Sequence, residues 1–220
     1  MDDLLDVRRD QLIDVLFLCE TWHDHDSVAL RRLRVDGFQV VDRPRPRDFV
    51  DTLATNHGGV AAVAAPGVRL DIGVDPASFE LLCVRVISRS LSCVVAVVYR
   101  PGSVATSEFF TEMTDVLDRL LTFVEPVYIV SDFNVHLEHP HDTATCELND
   151  DFAAHGLMNS VTSPTHDHGG ALDVVVSRSD LPAPSVDVVD VGLSDHHLLR
   201  WSVTFTRESP VYVTTSSAPP

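Results

Sequence analysis

Val127-Tyr128-Ile129-Val130-Ser131-Asp132-Phe133-Asn134 is an apolar run that ends in Asp-x-Asn. Its β-branched and aromatic residues read as a strand, and the polar pair falls at the strand's end. Residues two apart in a strand point to the same side, so Asp132 and Asn134 can address one ligand together. A carboxylate beside a neutral carboxamide suits a phosphate. One group holds a proton or a metal, and the other donates a hydrogen bond without added repulsion. Alone, Asp-x-Asn is more often a turn-forming loop.

Outward from this strand the chain alternates. Residues 15–19 read as a short buried strand ending at Glu20, and further β-type runs cover 59–65, 79–87, 92–99, 172–177, 186–191 and 198–205. The clearest helix spans 107–124, where Phe109, Phe110, Met113, Val116, Leu117, Leu120 and Leu121 line one face and Ser107 is the expected N-cap. A shorter helix over 148–155 stops at Gly156, and residues 1–14 carry Leu4, Leu5, Leu12 and Ile13 at roughly helical spacing. Some strands are separated by helices and others follow one another as hairpins. That mixture predicts an α/β fold of two packed sheets with helices outside, not a doubly wound parallel sheet. Residues 1–206 form one domain in this reading, and the Ser/Thr/Pro-rich residues 207–220 form a disordered tail.

Composition narrows the function. No apolar run approaches the roughly 20 residues of a membrane span. The formal charge of −17 argues against a simple nucleic-acid binder, and every basic residue is Arg. A site that gathers carboxylates around a divalent cation tolerates such a balance, because the cation meets the phosphate. Arg43-Pro-Arg45-Pro-Arg47 could still touch a nucleic-acid backbone. The four cysteines show no paired spacing and read as free thiols, three of them in apolar runs.

Other strand ends carry chemistry too. Asp195-His196 precedes the strand at 198–205, placing a candidate general base beside a candidate metal ligand. Asp173 lies inside the apolar run Leu172–Ser177, where an unpaired carboxylate is costly and an imidazole N–H would satisfy it. A pairing with His196 would fix that ring's tautomer and stabilise its protonated form. Glu20, before Thr21-Trp22, is a further oxygen ligand. His23–Asp26, His136–His141 and His166–His168 could bind zinc, but each reads as a polar loop without a structural ligand framework.

Five motifs stand in a familiar order: Cys19-Glu-Thr-Trp22, Val98-Tyr-Arg-Pro101, Ser131-Asp-Phe-Asn134, Ser163-Pro-Thr-His166 with Leu172-Asp173, and Leu193-Ser-Asp-His196. Together they resemble the apurinic-endonuclease-like domain of non-LTR (LINE-type) retrotransposons, within the endonuclease/exonuclease/phosphatase superfamily. The resemblance implies a four-layer α/β sandwich with two facing mixed β-sheets flanked by helices. It also implies Mg²⁺- or Mn²⁺-dependent nicking of DNA that leaves a 3′-hydroxyl to prime reverse transcription. Partners would be DNA and the element's own reverse-transcriptase region, and the work would require access to the nucleus.

Carried over by position, Glu20 resembles the metal-binding Glu, with Asp195 near the metal or a second cation site. Tyr99 resembles a contact to the scissile phosphate. Asp132 and Asn134 would position water and phosphate, and His196, oriented by Asp173, would be the base or a phosphate-stabilising imidazole. Thr165, Ser194 and Arg100 resemble supporting phosphate or DNA contacts. Whether Asp132 or His196 takes the proton stays open at this point. The family begins with a strand bearing an Asn near the metal, and this sequence reads as starting after it, so the first strand is expected to be missing. A catalytically impaired remnant, or a phosphatase or phospholipid phosphodiesterase of the same superfamily, are the competing readings.

Overall fold

A computed structural model describes residues 2–24, 26–45, 58–73, 79–88, 91–102 and 106–203. The expected tail at 207–220 and Arg47 lie outside the described residues. In chain order the elements are α1 (Asp2–Asp10), β1 (Val15–Leu18), α2 (Val28–Val35), β2 (Gln39–Arg43), β3 (Val60–Ala64), β4 (Arg69–Gly73), β5 (Glu80–Ser88), β6 (Leu91–Tyr99), α3 (Thr106–Leu120), β7 (Val127–Asp132), α4 (Thr143–Ala154), β8 (Leu157–Asn159), β9 (Asp173–Arg178), β10 (Val186–Val189) and β11 (Leu198–Trp201).

A six-stranded sheet runs β4-β5-β6-β7-β9-β8. It is mixed, because β6 and β7 are parallel and joined through α3, whereas β5/β6, β7/β9 and β8/β9 are antiparallel. Facing it is a second sheet in two pieces, the three strands β1-β3-β2 and the hairpin β10-β11. The alternation along each central strand explains the layers. Val94, Ala96, Val98, Ile129, Val174 and Val176 face α3 and α4 in one core. Val95, Val97, Tyr99, Tyr128, Val130 and Val175 face the second sheet in another. The far side of the three-stranded piece is covered by Leu4, Leu5, Leu30 and Leu33 from α1 and α2. The result is helices, sheet, sheet, helices, as the family resemblance implies.

Several boundaries moved. The long helix begins at Thr106 and ends at Leu120, so Ser107 lies within its first turn and does not cap it. The strand read over 127–130 extends to Asp132, because Ser131 and Asp132 are as buried as the apolar residues before them. Four elements were not read from sequence. α2 is short and Arg-rich, β2 has no fully buried residue, β4 is brief, and β8 has three residues.

A cleft of about 1100 Å³ separates β1 from β11 and is floored by Cys93, Val95, Val97, Val130 and Val175 of the large sheet. Phe17 and Trp201 stack across it, with ring centroids 6.1 Å apart. Arg200 Nη1 donates to Gln11 Oε1 at 3.0 Å. Cys83 and Cys93 are buried free thiols, Cys19 is partly buried and Cys146 is exposed.

Candidate active site

The register of the large sheet assembles the site. Tyr99 on β6 pairs with Asp132 on β7, and Asp132 pairs with Asp173 on β9. The three side chains therefore form one row across adjacent strands, all on the face toward the second sheet. Two carboxylates directly opposite each other in an antiparallel pair repel. His196 answers that repulsion: its Nδ1 lies 2.9 Å from Asp173 Oδ2 and its Nε2 lies 3.9 Å from Asp132 Oδ2.

Loop contacts bring His196 there. His166 and His196 form an isolated antiparallel bridge, His197 N–H donates to Thr165 O at 2.7 Å, and Asp167 N–H donates to Asp195 O at 2.9 Å. The Ser194 hydroxyl accepts from His196 N–H and donates to His196 O, each at 3.0 Å, closing the turn.

Glu20 enters from the end of β1, where its backbone takes the left-handed conformation at φ +50°. Such a φ is uncommon for a residue with a side chain and redirects the carboxylate at the strand exit. Tyr99 Oη donates to Glu20 Oε1. Asn134 is also left-handed, at φ +50°. Its N–H donates to Asp132 Oδ1 at 3.0 Å, and its Nδ2 donates to Arg100 O at 2.9 Å.

These environments set the charges. Burial and the neighbouring Asp173 push Asp132 up to about 7, with Glu20 adding to the rise and His196 opposing it. The hydrogen bond that His196 donates to Asp173 raises its imidazole to about 9 against the cost of burial. Burial and Glu20 push the Tyr99 phenol well up, so it stays a donor. Asp195 is exposed and held below the usual carboxylate range, chiefly by its own backbone N–H.

Glu20, Asp132, Asp173, Ser194, Asp195 and His196 line the end of the cleft together with Trp22. The donor set is rich in carboxylate oxygen, which fits a hard divalent cation such as Mg²⁺ or Mn²⁺. The Asp132 and Asp173 carboxylates, side by side on adjacent strands and served by the one His196 imidazole, are the observation that supports the fit. The site carries more buried negative charge than its own imidazole neutralises, and a cation would relieve it. Asp132, Asp173 and His196 place one ligand atom each within 4.8 Å of one another, and so do His166, Asp195 and His196.

Three expected contacts sit elsewhere. Arg100 is 6% exposed, with its guanidinium over the Phe109 ring at 5.2 Å and Nη1 donating to Phe133 O at 3.2 Å. Its charge is directed at the exit of β7 and is not presented to solvent. Thr165 is fully buried, and its hydroxyl accepts from Leu172 N–H at 3.1 Å and Asp173 N–H at 3.2 Å. It fixes the entry to β9. Arg45 pairs with Glu80 at 2.5 Å and Arg43 donates to Leu81 O at 3.0 Å, so both are engaged within the protein. The sequence cannot distinguish a buried Arg or Thr from one on the surface, since that depends on strands distant in the chain. Thr165→Val, which leaves two N–H groups without an acceptor, is expected to cost about 1–3 kcal/mol in urea unfolding. An unfolding curve unchanged from the parent would show that the hydroxyl does not hold β9.

Two histidines read from sequence as lying in polar loops have defined partners in the structure. His23 is buried, not in an open loop: Nε2 bonds Asp42 Oδ2 at 3.0 Å and Nδ1 meets Thr21 Oγ1 at 2.5 Å. It braces the turn after Glu20. His166 Nε2 lies 3.3 Å from Asp195 Oδ2, and its ring stands edge-on to His196 at 4.9 Å. Its position directly after Thr165 in the fourth motif was the available signal.

The sequence of residues 1–196 matches the Endonuclease/Exonuclease/phosphatase family, and the chain belongs to that family. Three solved structures share its fold. The endonuclease domain of TRAS1, a telomere-specific non-LTR retrotransposon, aligns with TM-score 0.68 at 14% identity, over 94% of this chain and 93% of that one. The 3′ phosphatase NExo from Neisseria, bound to product DNA hairpin, gives 0.66 at 17%, over 93% and 94%. The human Nocturnin catalytic domain with bound sulfate gives 0.64 at 17%, over 91% and 85%. No curated protein sequence matches the chain. Among the described residues, no helix is long and apolar enough to cross a membrane.

Proposed function

We propose that the chain is a divalent-cation-dependent phosphodiesterase that nicks DNA, acting as the endonuclease domain of a non-LTR retrotransposon. The observation that carries this reading is the row Tyr99–Asp132–Asp173 closed by His196, with Glu20 and Asn134 at its rim. Mg²⁺ or Mn²⁺, held by Glu20 with Asp195 nearby, would polarise a phosphoryl oxygen and offset charge on the leaving 3′ oxygen.

The protein's own groups then divide the work. Asp132, raised to about 7, is suited to take the proton of an attacking water near neutral pH. His196, raised to about 9 by Asp173, is already protonated there. It serves as a fixed positive donor to the phosphate, not as the base. Tyr99, kept protonated, and the second N–H of the Asn134 carboxamide are further donors for phosphoryl oxygens. Water oxygen bonds to phosphorus, the bond to the 3′ oxygen breaks, and that oxygen gains a proton to become the priming hydroxyl. Among related chemistries, the five ordered motifs favour DNA over a phosphate monoester or a lipid headgroup. A reverse-transcriptase region is the proposed partner, and chromosomal DNA in the nucleus the proposed target.

Supercoiled plasmid incubated with the protein and Mg²⁺ tests this. Open circles whose nicks are extended by a DNA polymerase without prior phosphatase treatment are the expected product. An intact plasmid with both Mg²⁺ and Mn²⁺ would reject active nicking by this chain.

A further inference from the structure

The turn that leaves Asn134 carries three ligand atoms that the site above does not use. His136 Nδ1 lies 2.7 Å from Glu138 Oε1, and His139 Nε2 lies 3.9 Å from the same oxygen. The two imidazole rings are 5.8 Å apart, centroid to centroid. In a tetrahedral zinc site, with bonds of ~2.0–2.1 Å to nitrogen and oxygen, ligand atoms stand about 3.3 Å from each other. The observed separations fall on either side of that value. Small rotations of the two side chains would make room for an ion between them.

Two independent features hold the arrangement. The first is the backbone of the turn. His139 N–H donates to His136 O at 2.9 Å, Thr145 Oγ1 donates to the same carbonyl at 3.0 Å, and Asp142 N–H donates to His139 O at 3.1 Å. Both imidazoles are thereby presented on one side. The second is the carboxylate: Ala171 N–H donates to Glu138 Oε2 at 2.9 Å, which leaves Oε1 toward the rings. A surface ion pair of His136 with Glu138 is worth under about 1 kcal/mol and would account for one imidazole, not for a second converging on the same oxygen.

We propose that His136, Glu138 and His139 form a binding site for a transition-metal ion of the zinc class, with solvent completing its coordination. It shares no residue with the oxygen-rich centre at Asp132. Two imidazoles and one carboxylate select zinc-like ions over Mg²⁺, which prefers oxygen ligands. The bound ion would clamp the connection between β7 and α4 against residues 170–171, just ahead of Asp173. Leu137 N–H already donates to Ala171 O there at 3.1 Å.

Zinc binding by the full chain, measured by competition with a chromophoric chelator in excess Mg²⁺, tests the proposal. His136→Ala/His139→Ala is expected to bind one fewer equivalent than the parent, while Asp132→Asn keeps that equivalent. Co²⁺ is expected to give a visible four-coordinate absorption band that the double variant lacks. Both replaced side chains are exposed, 59% and 61%, so the variant should fold, which far-UV circular dichroism confirms. Equal zinc stoichiometry in the parent and the folded double variant would overturn the proposal. So would a parent that binds no zinc in excess Mg²⁺.

Discussion

Asp132→Asn is expected to abolish phosphodiester cleavage and, in the cation-free protein, to raise stability. The loss of activity follows from removing the proposed proton acceptor at the centre of the row, where general-base catalysis contributes about 10²–10⁴-fold. The gain in stability follows from the same residue's position. Asp132 is 6% exposed and lies directly opposite Asp173. Its carboxyl rises from 3.8 to about 7, first through burial and then through Asp173. An acid raised on folding weakens the fold as pH climbs. Between roughly 4 and 7 the unfolded chain has released the proton that the folded chain still holds, so stability falls through that window and stays low above it. The penalty is on the order of a few kcal/mol, and the neutral carboxamide escapes it. Thermal unfolding in EDTA at pH 8 should therefore show a higher melting temperature for Asp132→Asn than for the parent. An unchanged or lower melting temperature, or a variant that nicks plasmid like the parent, would place the acid elsewhere.

His196→Ala should move stability the other way. Its imidazole rises from 6.5 to about 9, chiefly through the hydrogen bond it donates to Asp173. A base raised on folding stabilises the protein fully below its unfolded pKa, and this contribution is lost as pH rises from about 6.5 through 9. His196 is about half-buried, so solvent screening reduces its share to on the order of 2 kcal/mol. The parent is thus expected to lose stability in EDTA between pH 6.5 and 9, and the variant to be less stable at pH 6.5 with a flatter profile above it. Cleavage should fall by about 10²–10³-fold, the usual cost of one fixed donor to a developing oxyanion. A parent profile that rises with pH over that interval would contradict the Asp173–His196 pair.

Much of this was readable from the chain. The apolar runs before Glu20 and Asp132 and after His196 announce strands, and a polar residue beside such a run falls at a strand end where ligands bind. What could not be read was which strand ends meet. The row Tyr99–Asp132–Asp173 depends on the pairing of β6, β7 and β9, and Asp173 is 41 residues from Asp132. Asp173's need for a partner was legible from the cost of burying a charge, whereas the bridge that delivers His196 came from loop residues with no periodic pattern. Arg100 and Thr165 show the same limit in reverse. Their residue types suit phosphate contact, and only the packing of Phe109 and the turn into β9 reveals that both are used internally.

The two-piece second sheet has a consequence for how the molecule holds together. Among the described residues, β10 and β11 pair only with each other. A lone two-stranded ribbon is marginal in water. This one is secured by side-chain packing over the large sheet and by the junction of residues 165–167 with 195–197 just before β11. His196 sits in that junction. The imidazole proposed to meet the phosphate thus belongs to the segment that ties the ribbon to the loop at 165–167, so a substitution in that segment is expected to reach both the site and the hairpin.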